Sequence, residues 1–472
     1  MGKAQEKEPE ELEKQDDASA VSEETSVHLT DEEINDVVGA LKAEDSDVVH
    51  SALDELGPAD IAELIEKIKQ EDRNTLIQLY SDALDPSVFT EMDTELIRLT
   101  LSEMPALQIA EMISDLETDD ALLLIEPLHP TLQKEVLRNL SHQTRTAMEE
   151  GLSFPEDSAG RLMRREMVAI PEFWTIGKTI DYLRSVSDEL PEDFFDVFII
   201  DPAYRLKGEI PLSRVISAKR SEKIMDLNLR EPHPIPADMD QEDVAHLFRR
   251  ENIVSAPVVD ENNRLIGTIT IDDVVDVIDK EAQEDLLRLV GVDQGDLYRA
   301  VISTASARFR WLFINLLTAI FASIVISFFD ATIEQIVALA ILMPIVASMG
   351  GNAGTQALTV AVRAIATHQL SGTNTMRVIW KETLVGAING VLFAVITGLT
   401  AAFWFSSATL GMVIASAMII NLLVAGLFGA GIPIVLNTMG SDPAVSSTVL
   451  LTTITDVVGF LAFLGLAALF LI

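Results

Sequence analysis

One carboxylate stands in the middle of the last apolar run of the chain: Asp456, within Leu450-Leu-Thr-Thr-Ile-Thr-Asp-Val-Val-Gly-Phe460. The run stays apolar to Ile472. At about 1.5 Å of rise per residue, Asp456 falls roughly half-way along a membrane-spanning helix that begins near Val445. A charge at that depth costs about 2.5–3.5 kcal/mol on insertion scales, so it normally faces a polar cavity or an ion path. No Lys or Arg follows Glu382, which makes a bound cation the natural partner. The competing reading is a neutral aspartic acid in a helix–helix contact.

A second constellation, Gly350-Gly-Asn-Ala-Gly-Thr-Gln356, follows Pro344 in another apolar run. Three glycines around an asparagine suit backbone that packs closely on a neighbour or lines a water-filled path. On a helix, Asn352, Thr355, Gln356 and Thr359 share one face, as do Thr452, Asp456 and Gly459 on the last span. With Gly351, these two polar stripes make a hydrophilic pore. The alternative is that the glycines serve helix packing alone, as Gly386-xxx-Gly390 and Gly426-xx-Gly429 do.

The elements that must hold these residues separate into two chemical halves. Residues 311–472 contain three basic side chains (Arg363, Arg377, Lys381) and five acidic ones (Asp330, Glu334, Glu382, Asp442, Asp456). Nearly all of the formal charge of −40 therefore lies in the first 310 residues. Such acidity repels nucleic acid and anionic lipid and concentrates cations. With no cysteine, there are neither disulfides nor thiolate metal sites. The polar N-terminus reads as lacking a cleavable signal peptide.

The pattern predicts an acidic disordered tail over 1–30 and an all-helical superhelical domain over 31–156, with breaks at Gly57-Pro58, Asp85-Pro86, Met104-Pro105 and His129-Pro130. Over 157–279 the chain uses one β-α-β-β-α unit twice. Asp196-Val-Phe-Ile-Ile-Asp201 matches Ser255-Ala-Pro-Val-Val-Asp260, and Val168-Ala-Ile-Pro171 matches His233-Pro-Ile-Pro236. This tandem resembles a pair of cystathionine-β-synthase-type (CBS) modules. A connecting helix over 280–303 leads to a transmembrane domain over 304–472. Its five spans are expected at about 311–329, 335–362, 378–405, 411–437 and 446–471, with Arg308 and Arg310 beside an interfacial Trp311. The basic residues before the first span and between the second and third place the N-terminal domains in the cytoplasm and the C-terminus outside. The fold class is a multidomain membrane protein: an all-α N domain, an α+β CBS pair and a five-helix membrane domain.

The motifs Gly350–Gln356, Ser441-Asp-Pro-Ala444 and Thr452–Phe460, in this order of domains, resemble the MgtE magnesium channel/transporter family from about residue 31 to the C-terminus. The resemblance implies a homodimeric Mg²⁺ channel in the bacterial inner membrane, in contact with membrane lipid and with no nucleic-acid partner. Its pore would run between the two membrane domains and close when cytoplasmic Mg²⁺ binds. Mg²⁺ keeps most of its water and takes few carboxylates, which suits one Asp456 per subunit with Asn352 bonding retained waters. The family's sensor is a set of acidic clusters at domain junctions. The matching residues are Asp240, Glu242, Asp273, Asp276, Glu281, Glu284 and Asp285, with Asp272 beside them and Glu111 in the N domain. Asn252 stands where an acidic ligand is expected. His368 reads as a solvated loop residue. Gly267-Thr-Ile-Thr-Ile-Asp-Asp273 resembles the CBS motif that holds an adenine ribose, which places ATP on Thr270 and Asp273.

Two alternatives stay open: a secondary transporter that uses Asp456 as its coupling site, and a membrane-anchored CBS sensor that carries nothing. Without a nucleophile–base constellation or a phosphate loop, the sequence does not suggest an enzyme.

Overall fold

The computed structural model describes residues 29–472 apart from 44, 82–83, 188–189, 192–193, 228, 293–294, 296 and 441. Most of the expected tail and Ser441 thus lie outside the described residues. The chain divides into two compact units: residues up to 116 with 120–148, and residues 117–119 with 149–472.

The first unit is helical, as expected. Its helices are α1 (Asp31–Lys42), α2 (Ser46–Glu55), α3 (Pro58–Lys67), α4 (Gln70–Tyr80), α5 (Thr94–Leu101), α6 (Ala106–Ser114) and α8 (Pro130–Asn139), with most of α7 (Thr118–Ile125) and α9 (His142–Gly151), whose first and last residues respectively belong to the second unit. The proline breaks act as helix starts. Pro58 and Pro130 occupy the first turns of α3 and α8, where no N–H is needed and φ is already helical. Leu64, Ile65, Leu76, Phe89, Ile97 and Ile113 fill the core.

The second unit starts with a short helix, α10 (Ala159–Leu162), and then shows the duplicated module. Its first copy holds β1 (Ala169–Pro171), α11 (Ile176–Ser185), β2 (Asp196–Ile200), β3 (Leu206–Pro211) and α12 (Leu212–Ser217). The second holds β4 (Ile235–Pro236), α13 (Gln241–Glu251), β5 (Ser255–Val259), β6 (Leu265–Thr270) and α14 (Ile271–Val290). In each three-stranded sheet the first pair is parallel and the second antiparallel. The register slips at the same place in both, Ile199/Ile200 and Val258/Val259.

The strand-ending aspartates explain that slip. Asp201 accepts backbone N–H bonds from Ala203 at 2.8 Å and Arg205 at 2.9 Å, and Asp260 does the same for Asn262 and Arg264, both at 2.8 Å. Each carboxylate thereby builds its own turn, and these bonds, led by that to Arg205 or Arg264, hold both acids below the usual range. The modules join through Phe198, Ile200, Leu206, Val259 and Leu265 and through a 2.7 Å bond from the Ser255 hydroxyl to Asp196.

The expected division at 279/280 falls inside one helix. Residues 271–290 contain no Gly or Pro, and α14 runs unbroken as both the last helix of the module and the connecting helix. It stops at Gly291, whose φ of +71° requires glycine, and Trp311 packs against that glycine's bare face. Trp311, expected as an interfacial aromatic, is thus a packing partner of the connecting helix.

Five helices are long and apolar enough to cross a membrane: α15 (Val301–Ser327), α17 (Ala338–Ala366), α18 (Thr375–Trp404), α19 (Ala408–Thr438) and α20 (Pro443–Phe470). The short α16 (Asp330–Gln335) lies between the first two. The first helix starts ten residues before the expected 311, because 301–310 continue it into its polar approach. Helix α19 is the most enclosed of the five, with 44% of its apolar window buried against 11% for α15. Gly386 of α18 meets the Leu422 carbonyl of α19 so closely that a Cβ would lie 2.4 Å from that oxygen. That glycine serves close packing, as read from the sequence.

Candidate functional site

The two polar stripes belong to neighbouring helices, α17 and α20. Gly354 of α17 sits against Leu451 of α20, where a Cβ would come within 2.9 Å of the leucine. Asn352, Thr355, Gln356, Thr359 and Thr452 are exposed on this chain, Gly351 is partly so, and Asp456 is half-buried. The hydroxyl of Thr355 donates to the Gly351 carbonyl at 3.0 Å, that of Thr359 to Thr355 at 2.9 Å, and that of Thr452 to Thr448 at 2.8 Å. With their protons spent on their own helices, these hydroxyls turn only lone pairs outward. Such a stripe accepts hydrogen bonds from water, and the waters around a cation are strong donors. Asn352 has one weak side-chain contact, 3.5 Å to Ser348.

Gly459 is placed differently from its stripe-mates. It is buried and faces the side chain of Asn421 from α19. The helical spacing is right, but the last turn of the stripe rotates inward onto α19. Asn421 itself was missed in the sequence. It is fully buried, and its amide N–H donates to the Val346 carbonyl of α17 at 2.8 Å. An asparagine in the interior of the uncharged run 411–437 was the available signal.

The acidic candidates outside the membrane fall into two groups. In the first, α13 faces α14. Glu242 is pushed up to about 7, chiefly by burial and then by the negative charges of Glu281, Asp285, Asp240 and Asp243. Asp285 is also raised, by burial first and then by Asp442 and Glu281. Glu242, Glu281 and Asp285 line a cavity of ≈ 430 Å³ with His246, Arg249, Leu286, Thr359, Val362 and Arg363, between α13, α14 and the end of α17. Crowded, desolvated carboxylates of this kind gain from a cation. Other members of the expected cluster have protein partners. Glu281 accepts a 2.6 Å bond from Gln241, Glu284 pairs with Arg288 one turn on, and Asp240 caps α13 by accepting from the Glu242 N–H at 2.9 Å. Among the described residues, no three His, Asp or Glu side chains are arranged to hold a bare metal ion.

In the second group, Arg164 supplies the cation. It is 7% exposed and reaches Glu117 at 2.7 Å, Asp273 at 3.0 Å, Asp272 at 3.1 Å and Asp119 at 3.5 Å. Burial works against its charge, yet Asp119, Asp273, Glu117 and Asp272 together hold its pKa above the ordinary value. The Asp273 carboxylate also accepts from the Thr270 hydroxyl at 3.0 Å. The pair expected to hold a ribose is therefore bonded to itself and to Arg164. Asp276 is exposed on α14, and Glu111 is exposed on α6 in the first unit.

Asn252 is the left-handed C-cap of α13, at φ 52° and ψ 47°. Asparagine tolerates that conformation better than an acidic side chain with a longer stem, which accounts for the residue type. His368 is not simply solvated: its ring lies 4.5 Å from that of His246, and its Nε2 is 3.6 Å from Asp243.

A profile for the MgtE divalent cation transporters matches residues 343–466, one for the MgtE intracellular N domain matches 56–157, and one for the CBS domain matches 224–280. The magnesium transporter MgtE of Thermus thermophilus is 33% identical over 438 residues, covering 92% of this chain and 97% of the relative. That of Bacillus subtilis is 28% identical over 422 residues, covering 89% and 93%. The crystal structure of the cytosolic domain of the Mg²⁺ channel MgtE in complex with ATP is 28% identical, covering 52% of this chain and 99% of that one with a TM-score of 0.48. With the likeness to the Thermus relative running nearly end to end, the chain belongs to the MgtE family.

Proposed function

We propose that this chain is a homodimeric Mg²⁺ channel of the plasma (bacterial inner) membrane that imports Mg²⁺ and closes when cytoplasmic Mg²⁺ binds at the α13–α14 junction. The observation that carries the reading is Asp456, a half-buried carboxylate inside a membrane helix with no cationic neighbour among the described residues to offset it. Beside it runs a stripe of hydroxyl lone pairs on α17. Two copies would give a dinegative site lined by water acceptors, and a small cation that keeps its hydration shell fits that site better than a bare one. The relatives' names as magnesium transporters support Mg²⁺ as the cargo.

For the gate, the support is the crowding of Glu242, Glu281 and Asp285 on a cavity that also touches the pore helix α17. A cation there gains most when α13 and α14 stay together, and a ligand moves a gate only through such a difference between states. In this reading the N-terminal domains are cytoplasmic and the C-terminus is outside. For Thr270 and Asp273 to take ATP, Asp273 would exchange its bonds with Arg164 and Thr270, which equilibrium dialysis of the purified chain with ATP tests.

The functional test is Mg²⁺ flux into proteoliposomes, with Mg²⁺ varied separately on each side. Flux should follow voltage, persist without a proton or sodium gradient, fall as Mg²⁺ rises on the cytoplasmic side, and vanish in Asp456→Asn. Flux that collapses with the counter-ion gradient would instead make Asp456 the coupling site of a transporter. Wild-type flux in folded Asp456→Asn would remove it from the ion path.

A further inference from the structure

Asn421, on α19, sits against both polar-stripe helices. It is fully buried, in a chain segment with no charge, and its Oδ1 has no hydrogen-bond partner among the described residues. An unmade bond in a membrane core is costly, and apolar residues are the default there. The amide lies between two glycines, one from each stripe helix. A Cβ on Gly350 would come within 2.2 Å of Asn421 Nδ2, and one on Gly459 within 2.8 Å of the same atom. Gly350 opens the Gly350–Gln356 motif, two residues before Asn352. Gly459 follows Asp456 by three. The Asn421 N–H also bonds the Val346 carbonyl, which lies two residues after Pro344, inside α17. One side chain of α19 thus fixes both stripe helices within one turn of their polar residues.

We propose that Asn421 is a positioning residue for ion selection: its amide acts as a spacer that sets the separation of α17 and α20, and so of Asn352 and Asp456. A leucine of similar size would fill the space but lose the bond that fixes rotation about α17. Glutamine would push the helices apart. The spacer acts on protein groups only and needs no ion of its own. The inference rests on the reading of Asp456 and Asn352 as the ion site.

The test measures Mg²⁺ flux and the Mg²⁺-over-Ca²⁺ ranking in proteoliposomes of the full chain. The variants are Asn421→Leu, Gly459→Ala, the double variant Gly459→Ala with Asn421→Ser, and Asp456→Asn. Asn421→Leu should raise the Mg²⁺ concentration for half-maximal flux by about tenfold, since misplacement by a fraction of an ångström is expensive in a positioned site. The Mg²⁺ preference should narrow with it, while the elution volume and unfolding temperature stay near wild type. Gly459→Ala should do the same; adding Asn421→Ser should make room for the added methyl and recover folding, but not the Mg²⁺ preference, since serine lacks the amide that bonds the Val346 carbonyl. A purely structural role would lower the amount of folded protein and leave half-saturation and ranking where they were. Unchanged half-saturation in Asn421→Leu, or a wild-type Mg²⁺-over-Ca²⁺ ranking in folded Gly459→Ala or in the double variant, would overturn the proposal. If Asn421→Leu does not fold, the Gly459→Ala pair decides. Flux through Asp456→Asn would overturn the underlying ion-site reading, separately from any Asn421–Gly459 coupling.

Discussion

Arg288 of the connecting helix α14 and Asp442, the residue before α20, form an ion pair at 2.8 Å. One turn further into α20, the Thr448 hydroxyl donates to the Leu289 carbonyl at 3.0 Å. The end of the helix that carries Glu281 and Asp285 is thus tied to the start of the helix that carries Asp456. In the proposed gate, this joint transmits movement of α14 to the pore. Both partners are partly exposed, and such pairs are worth about 0–1 kcal/mol, so Arg288→Ala should leave the protein folded and Mg²⁺ still permeant. The expected change is a shallower dependence of flux on cytoplasmic Mg²⁺, measured in proteoliposomes. An unchanged inhibition curve would show that the pair does not couple the two helices.

Replacing Glu242, Glu281 and Asp285 by their amides should weaken closure by internal Mg²⁺ and spare the pore. Their mutual crowding shows in the raised values of Glu242 and Asp285. Like-charged neighbours on a helix cost a few tenths of a kcal/mol per pair, and more once desolvated. A bound cation turns that repulsion into attraction. The neutral junction should also resist protease without added Mg²⁺, since the repulsion is gone. Limited proteolysis across a Mg²⁺ titration checks this: wild-type protection should rise with Mg²⁺ and the variant's should be flat. A variant curve that still rises with the wild-type midpoint would remove these residues from the sensor.

Much of this arrangement is legible in the residues. Pro58 and Pro130 start helices, Asp201 and Asp260 build hairpins, and the apolar runs cross in the expected order. Each of these signals acts over a few neighbouring positions. The unbroken α14 was equally local, since no Gly or Pro interrupts 271–290; the duplicated pattern suggested a boundary that the backbone does not need. What was hidden depends on distant partners. Asp273 looks like a free ligand until Arg164, 109 positions earlier, is seen to bond it. That the bare face of Gly459 packs on Asn421 is invisible until α19 is placed beside α20. Asn252 looks like a missing ligand until its left-handed backbone shows a cap.

Arg164→Met should destabilise the second unit. The guanidinium is buried among four carboxylates, and removing one side of such a cluster typically costs about 3–5 kcal/mol because the remaining charges lose their counter-charge. Hydrogen exchange at β6 and the start of α14 should accelerate, and the thermal transition should fall. Added Mg²⁺ should recover part of the loss, because four acids then surround a space where a guanidinium used to be. Wild-type exchange in the variant would mean that the cluster is neutral in stability, as well-compensated buried pairs sometimes are.

Glu209 gives a pH dependence that is independent of the metal candidates. It lies in β3, 2% exposed, and is pushed up to about 7, by burial first and then by the charge of Asp196. A carboxylate raised above its unfolded value favours the folded state while it is protonated. Its contribution is complete below about pH 4.5 and disappears as pH rises through about 7. Above that, an ionised Glu209 must sit buried near the charge of Asp196, offset in part by Arg230. The CBS pair should therefore loosen between pH 6 and pH 8.5 more than its other charges require. Glu209→Gln cannot ionise, so the difference between the two proteins isolates this group. Near pH 5 they should show equal hydrogen exchange in β2 and β3, and at pH 8.5 the glutamine variant should be the better protected. Equal protection at both pH values would mean that Glu209 ionises in the folded state without penalty, through water or Arg230 reaching it.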